Sequence, residues 1–437
     1  MSGLKFIDYE SHLRSIHAAA MRAANPAQAV RKNLHIEGDY WTVTGKGLEL
    51  APGGRVFLLA VGKAAGGMAS AAVELLGERI SSGLIVLPTD VPSTVSTPRI
   101  ETILAGHPLP DQGSLQAGQA AVRMLSKTRP EDILLCLISG GASALLELPL
   151  ARIELKDLVQ LTQALLKSGA PIADINTVRK ALSQIKGGRL LSHAAPAKVV
   201  SLILSDVIGD NLADIGSGPT VPQLVSSAAG QEILTQWGVW NAAPKSIQQA
   251  LCDPPPLQPE HPQPINVLVG SNRLVLQAAG DAAAALGFDC EINTEPLQGE
   301  ARSVGGVMAA AWLTRNASSR QPWASISGGE TTVVVSGDGR GGRNQELALA
   351  AALEIDGSHG LAVMSAATDG VDGPTDAAGA IVTPVTAGLI RAEGIDLRAA
   401  LDENDSYHAL DSAGALLRTG PSGTNLNDLL IALGYPD

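Results

Sequence analysis

What limits the fold most is a series of short apolar runs, each closed by a turn bearing glycine or aspartate and followed by a helix-like segment. Val56–Val61 ends at Gly62, and a small-residue helical stretch runs from about Lys63 to Leu76. Gly83–Leu87 is the next run, and Glu101–Ala105 ends at Gly106-His107-Pro108. Ile133–Ile138 ends at Ser139-Gly140-Gly141-Ala142-Ser143, and Val199–Leu204 at Ser205-Asp206. The central runs lack polar alternation, as strands buried on both faces do. Strands alternating with helices at this spacing predict a doubly wound parallel α/β sheet. Aromatic residues make up only 3% of the chain, so the interior must be built from Ala, Val, Leu and Ile.

A chain of 437 residues exceeds one ordinary core and implies two or three domains. The segment 253–264 holds six prolines. Proline fixes φ and removes a donor, so this stretch is neither a helix interior nor a central strand. It divides the chain into an N-terminal domain (1–252), a Pro-rich linker (253–264) and a C-terminal domain (265–437). In the last, strands are expected at Ile265–Val269, Trp323–Ile326, Thr331–Val335 and Leu361–Ala366. Helices are expected at Arg273–Leu286, at Asn344–Leu353 and from Asn425 to Leu433, with Thr424-Asn425 as the cap of the last. The glycine-rich stretch 337–342 reads as a flexible loop, and Arg340 as its surface charge.

Several function classes are disfavoured. A formal charge of −12 without a Lys/Arg-rich run argues against nucleic acid and against a membrane surface. No apolar stretch approaches the ~18 residues of a membrane span, and the first residues lack a signal-peptide core, so the expected location is the cytoplasm. Cys136, Cys252 and Cys290 are far apart and read as reduced thiols. The eight histidines and three cysteines show no zinc-ligand spacing, and no G-x-S-x-G elbow occurs. The turn at Gly62, Gly66 and Gly67 fits neither G-x-G-x-x-G nor the Walker A loop.

The strand ends carry the candidate chemistry. Lys63 stands at the opening of a helix, where the backbone already favours an anion. The turn Ser139-Gly140-Gly141-Ala142-Ser143 can aim backbone N–H groups at a phosphate. Asp206 ends a buried strand, where a carboxylate suits Mg²⁺ or a substrate hydroxyl, with helix capping as the plain alternative. Asp210 reads as a turn residue. Arg343 follows a glycine loop and can reach a carboxylate or phosphoryl group with fork geometry; Glu330 lies near it in sequence. Asp369 ends a strand and suits Mg²⁺ or hydroxyl chemistry, while Asp372 and Asp376 lack an EF-hand pattern and read as turn organisers. Asn425 could bind substrate in addition to capping.

Taken in order, Val61-Gly62-Lys63-Ala64-Ala65, Gly106-His107-Pro108, Ile138-Ser139-Gly140-Gly141, Asn176-Thr177-Val178-Arg179-Lys180, Lys186-Gly187-Gly188-Arg189-Leu190, Ser205-Asp206-Val207-Ile208-Gly209-Asp210, Gly328-Gly329-Glu330-Thr331-Thr332-Val333, Gly341-Gly342-Arg343-Asn344-Gln345-Glu346 and Thr368-Asp369-Gly370 resemble the glycerate 2-kinase family, whose C-terminal part is the MOFRL domain. The resemblance covers nearly the whole chain. It implies a Rossmann-like N-terminal domain, a smaller α/β C-terminal domain and an active site in the cleft between them. It implies transfer of the ATP γ-phosphoryl group, with Mg²⁺, to the 2-hydroxyl of D-glycerate. Some members carry the label hydroxypyruvate reductase, from tartrate degradation. Lys63, Arg343, Asp206 and Asp369 are the implied catalytic residues, the two aspartates also as Mg²⁺ ligands. Ser139, Gly140, Gly141, Ser143, His107, Arg179, Glu330 and Asn425 are the implied binding residues. The partners are then small molecules; the sequence does not fix the oligomeric state, a homodimer being one option. Ala181 departs from the family pattern, where histidine is usual, and Ala142 stands where many members have a third glycine.

Overall fold

The computed structural model describes residues 4–91, 95–253 and 263–436. The chain divides into two compact units, Pro26–Val269 and a second made of the segment ending at Asn25 plus everything from Gly270 onward.

In the first unit, β1 (Val56–Val61), β2 (Ile80–Pro88), β3 (Ile100–Ala105), β4 (Ile133–Ile138), β5 (Lys198–Leu204) and β6 (Ile265–Gly270) form one sheet in the order 3-2-1-4-5-6. The first five are parallel. This is the order of a doubly wound sheet, and its direction reverses between β1 and β4. Every residue of β1 and β4 is buried, which is why those runs carry no polar alternation. Register pairs Val61 with Ile138, so the two turns that leave these strands start side by side. The crossover helix Gln112–Leu125 begins at a capping box, in which Asp111 accepts from the Ser114 backbone and the Ser114 hydroxyl accepts from Asp111 N–H. A three-stranded antiparallel sheet spans Leu34–Glu49. The helices Leu155–Lys167, Ile172–Ala181, Ser227–Gln236 and Lys245–Cys252 bury a separate apolar cluster of their own.

The second unit is built on a mixed sheet. Its strands are β7 (Asp289–Ile292), β8 (Trp323–Gly329), β9 (Leu361–Ala367), β10 (Gly379–Val382), β11 (Leu416–Leu417) and β12 (Asp428–Gly434), in the order 7-8-12-9-10-11. β12 lies between β8 and β9, antiparallel to both. The helices Ala301–Ser318 and Arg343–Glu354 supply much of the core on this sheet.

Five expectations are corrected. The division at 253–264 is replaced by a discontinuous one. Helix Tyr9–Ala24 buries Leu13, Ile16, Ala20 and Ala24 in one stripe and packs on helix Asn272–Leu286, so the N-terminal segment belongs with the C-terminal unit. Ile265–Gly270 does not restart a second sheet; it is the sixth strand of the first. The proline stretch therefore joins two elements of one unit, and most of it, 254–262, lies outside the described residues. The expected last helix is strand β12, all of it buried, because a short continuous apolar run fits a two-sided strand as well as a helix. Thr331–Val335 forms no strand: Thr332 makes a single bridge to Glu300, while Val334 and Val335 stay exposed. Its β-branched side chains find no sheet to pair with. Loop 337–342 is tied down, with Gly339 N–H bonded to the Glu403 carbonyl at 2.9 Å and Arg340 N–H to Asp405 at 3.0 Å. The Arg340 guanidinium lies over the Tyr407 ring, 4.4 Å from its centre. Among the described residues no helix is long and apolar enough to cross a membrane.

Candidate active site

The first unit gathers its candidates at the C-terminal ends of β1, β3, β4 and β5. Gly62 has φ +125°, and a Cβ there would run into the Ser139 hydroxyl and carbonyl. Glycine is thus required for the β1 turn to lie against the β4 turn. Lys63 N–H then donates to the Gly140 carbonyl at 2.9 Å, and Ala64 N–H to Ser139 Oγ at 3.1 Å. Ser139 is consequently the clasp between the two turns. Gly141 is left-handed, at φ +84°, and a Cβ on it would sit 3.1 Å from His107 Cδ2 and 3.5 Å from Lys63 Cγ. Lys63, His107 and Gly141 therefore converge.

Asp206 presses its carboxylate against the bare α-carbon of Gly140. Gly140→Ala should displace it and lower kcat/KM by about 10²-fold while the protein still folds, since a small misplacement of a positioned group has that effect. Steady-state kinetics beside a circular dichroism melt checks this; near-normal turnover would show that Asp206 has no role there.

Arg179 reaches the same region, donating to the Ser143 carbonyl at 2.7 Å. Ser143 Oγ is 2.8 Å from Ser217 Oγ, turned toward a protein partner. His107 is held below its ordinary pKa, first by loss of solvation, then by the Lys63 cation, with Arg179 adding to it against the pull of Asp90. Burial likewise pushes Arg179 down, against the pull of Glu147. Among the described residues neither Lys63 nor Arg179 forms an ion pair. Two half-buried cations beside a glycine turn, neither in an ion pair among the described residues, make a seat for an anion. Asp210, at φ +54°, is a turn residue, its N–H bonded to the Val207 carbonyl. Ala181 faces away from this chemistry: it is fully buried in the four-helix apolar cluster, beside Gly230.

The second unit gathers Glu330, Arg343, Asp369 and Asn425 at one end of its central strands. Register sets Asp428 opposite both Gly329 and Ala367, so the end of β8, the end of β9 and the start of β12 coincide. Thr368 Oγ1 donates to the Asn427 carbonyl at 2.7 Å and accepts from Leu426 N–H at 2.8 Å, joining the loops that carry Asp369 and Asn425. Asp369 accepts from Val371 N–H at 3.1 Å, and Asn425 Oδ1 from Asn427 N–H at 3.2 Å, so Asn425 shapes a turn before a strand instead of capping a helix.

Arg343 opens helix Arg343–Glu354, whose first backbone N–H groups, on Asn344 and Gln345, are capped from a distance by Asp372 at 3.1 and 2.9 Å. The guanidinium grips Asp428 with two hydrogen bonds, Nε to Oδ2 at 2.6 Å and NH2 to Oδ1 at 3.0 Å, and gives NH1 to Glu330 at 2.5 Å. Three of its five N–H donors are thus committed. Burial alone would lower the arginine's pKa; Asp428 and then Glu330 outweigh it and raise it. Asp428 is only 7% exposed, and burial pushes its carboxyl up to about 6 against the pull of Arg343. Sequence reasoning passed over Asp428. The signal was a lone carboxylate at the head of the apolar run Leu429-Leu430-Ile431-Ala432-Leu433, which a buried strand keeps only if something pairs with it.

Asp206 and Asp369 lie on different units, and among the described residues no cluster of three His, Cys, Asp or Glu side chains could cage a metal. One or two carboxylates completed by phosphate oxygens suffice for Mg²⁺, so the donors present fit an ion carried by a nucleotide.

A doubly wound sheet with a glycine turn beside two cations at its switch point, and an arginine–carboxylate group at one end of a second sheet's central strands, defines an α/β enzyme that handles small anionic substrates. Residues 12–252 match the domain of unknown function DUF4147 and residues 323–428 the MOFRL family. A D-glycerate 2-kinase of Thermotoga maritima is 44% identical over 87% of this chain and 90% of its own length. A glycerate 2-kinase of Pyrococcus horikoshii is 41% identical over 95% and 94%. A crystal structure of glycerate kinase from Thermotoga maritima superposes with a TM-score of 0.88 at 40% identity, covering 98% of this chain and all of that one. Two relatives from Agrobacterium vitis, 39% and 40% identical over 95% and 86% of the chain and 92% and 98% of their own lengths, are named hydroxypyruvate reductase. The chain belongs to the glycerate 2-kinase family.

Proposed function

We infer that this chain is a glycerate 2-kinase, moving the γ-phosphoryl group of ATP to the 2-hydroxyl of D-glycerate and releasing 2-phosphoglycerate. The observation that carries the reading is the pair of cations Lys63 and Arg179, neither in an ion pair among the described residues, beside the Gly140–Gly141 turn at the reversal of strand order. Phosphoryl transfer asks a protein for alignment and charge neutralisation more than for covalent chemistry. In this reading Lys63 neutralises the transferring group, and Arg343, with two N–H donors uncommitted among the described residues, is a second catalytic cation, carried by the other unit. The glycine turn seats anionic oxygens, and Asp206 or Asp369 orients the acceptor hydroxyl. Magnesium brought by ATP would be held by Asp206 or by Asp369 and would neutralise phosphate charge.

The reductase name on some relatives calls for a nicotinamide cofactor. Here the space beside Gly62 is filled by Ser139, where a dinucleotide-binding turn leaves room for pyrophosphate. Incubation with ATP, Mg²⁺ and D-glycerate, read by phosphorus NMR, should show 2-phosphoglycerate. Hydroxypyruvate with NADH should leave the NADH absorbance flat. NADH oxidation without any phosphate ester would reverse the assignment.

A further inference from the structure

Two residues beyond the helix Ala142–Leu145 lies Glu147, 2% exposed, and five residues beyond the helix Ile172–Ala181 lies Lys186, 1% exposed. They form an ion pair at 2.5 Å. Further hydrogen bonds fix both groups: Glu147 accepts from the Ser183 hydroxyl at 2.9 Å and Leu148 N–H at 3.1 Å, and Lys186 donates to the Leu146 carbonyl at 3.2 Å. Arg189 donates to the carbonyls of Lys180, Ala181 and Ser183, closing the end of the helix that carries Arg179. Tethering alone does not account for the pair. Backbone hydrogen bonds already join the two segments, from Leu150 N–H to the Leu182 carbonyl at 2.9 Å and from Gln184 N–H to the Leu148 carbonyl at 2.7 Å. Apolar side chains of the same volume would often hold such a junction as well.

What apolar side chains would not do is govern Arg179. Its guanidinium lies within electrostatic reach of both Glu147 and Lys186, and it gives its hydrogen bond to the Ser143 carbonyl instead of to Glu147. We propose that Lys186 is a positioning residue: by occupying Glu147 it keeps that carboxylate from capturing Arg179, and so leaves Arg179 as a free cation for a substrate carboxylate or phosphate at the Gly141 turn. The proposal rests on the reading of that turn as an anion seat. Without the lysine charge, Glu147 would be the nearest counter-ion for Arg179, and the guanidinium would turn away from the ligand. The charged groups facing Lys186 are Glu147 and Arg179; burial first, opposed by Glu147, pushes its ammonium down to about 8, so the same loss should occur in the unmodified protein as pH rises through that value.

The test compares Lys186→Met with the double variant Glu147→Gln/Lys186→Met in the full chain, with KM for ATP and for D-glycerate measured separately. Lys186→Met should raise one of the two KM values about 10-fold or more, the scale of a lost charge-assisted hydrogen bond, with kcat changing less. The substrate affected identifies the anion that Arg179 holds. Removing the carboxylate as well should bring that KM back to within about 3-fold of the parent, a rescue that a merely structural pair would not give. Over pH 7 to 9 the parent KM should climb and that of the double variant stay level. Unchanged KM values in folded Lys186→Met, or a double variant as impaired as the single one, would overturn the proposal. Should Lys186→Met not fold, Lys186→Gln, alone and with Glu147→Gln, takes its place with the same expected rise and rescue, and unchanged KM values there overturn the proposal equally. Lys63→Ala separates the two layers: if it alters neither KM nor kcat the anion seat itself is wrong, whereas a damaging Lys63→Ala beside a harmless Lys186→Met refutes only the role of Lys186.

Discussion

Lys63→Ala should lower kcat with ATP and D-glycerate by about 10²–10³-fold, the usual consequence of removing one preorganised charge from a developing transition-state anion. The same substitution should leave the protein as stable as its parent, within about 0.5 kcal/mol. That combination follows from where Lys63 stands. It is half-buried, forms no ion pair among the described residues, and contributes to the fold through its backbone, whose N–H bonds the Gly140 carbonyl in any variant but proline. A structural lysine would give the opposite pattern. Lys63→Arg should recover little, because a planar fork differs in reach and shape from a compact ammonium. A coupled assay beside a thermal melt decides the matter, and turnover within 3-fold of the parent for Lys63→Ala would remove it from the chemistry.

The first unit was largely legible from the residues alone. β1 and β4 begin and end where their apolar runs do, and the turns at Gly62 and Ser139 follow from the burial of both strands on both faces. Their contact was not legible, because adjacency of β1 and β4 is a matter of strand order, which no local pattern records. The same limit hid the discontinuous division: the stripe Leu13, Ile16, Ala20, Ala24 announces an amphipathic helix but not which core it joins. In the second unit the strand after Asn425 was mistaken because a continuous apolar run has no period of its own. That error hid Asp428. Read as a helix, the segment places the aspartate in a first turn, where a carboxylate is unremarkable; read as a central strand, it places an ionisable group among buried neighbours, where it demands a cation. The buried pair of Glu147 and Lys186 escaped for a related reason, since two charges far apart in sequence look like two solvated side chains until topology joins them.

Arg343→Ala and Asp428→Asn should both impair catalysis but in different ways. Arg343→Ala should lower kcat by about 10³-fold, as loss of an arginine acting on a transferring phosphoryl group does. It also strands the Asp428 carboxylate, and breaking a buried pair ordinarily costs about 3–5 kcal/mol. The cost should fall short of that range here, because Asp428, already raised to about 6 with its arginine present, can discharge by taking a proton. Asp428→Asn keeps the shape and one acceptor but loses the charge that orients the guanidinium; a loss of about 10-fold in kcat is expected, with little change in either KM. The pH profile separates this from a general loosening. In the parent, protonation of Asp428 as pH falls through about 6 should release part of its grip on Arg343 and give kcat an acid limb there; in Asp428→Asn that limb should vanish. Stability runs the other way. Because the folded carboxyl titrates above its ordinary value, the folded state takes up the proton first, and the stability this residue contributes is fully present below the unfolded pKa and lost as pH rises through about 6. Between pH 6 and 4, therefore, Asp428 should cost the enzyme activity while favouring its fold, and an acid limb accompanied by a parallel fall in melting temperature that Asp428→Asn abolishes would contradict the assignment.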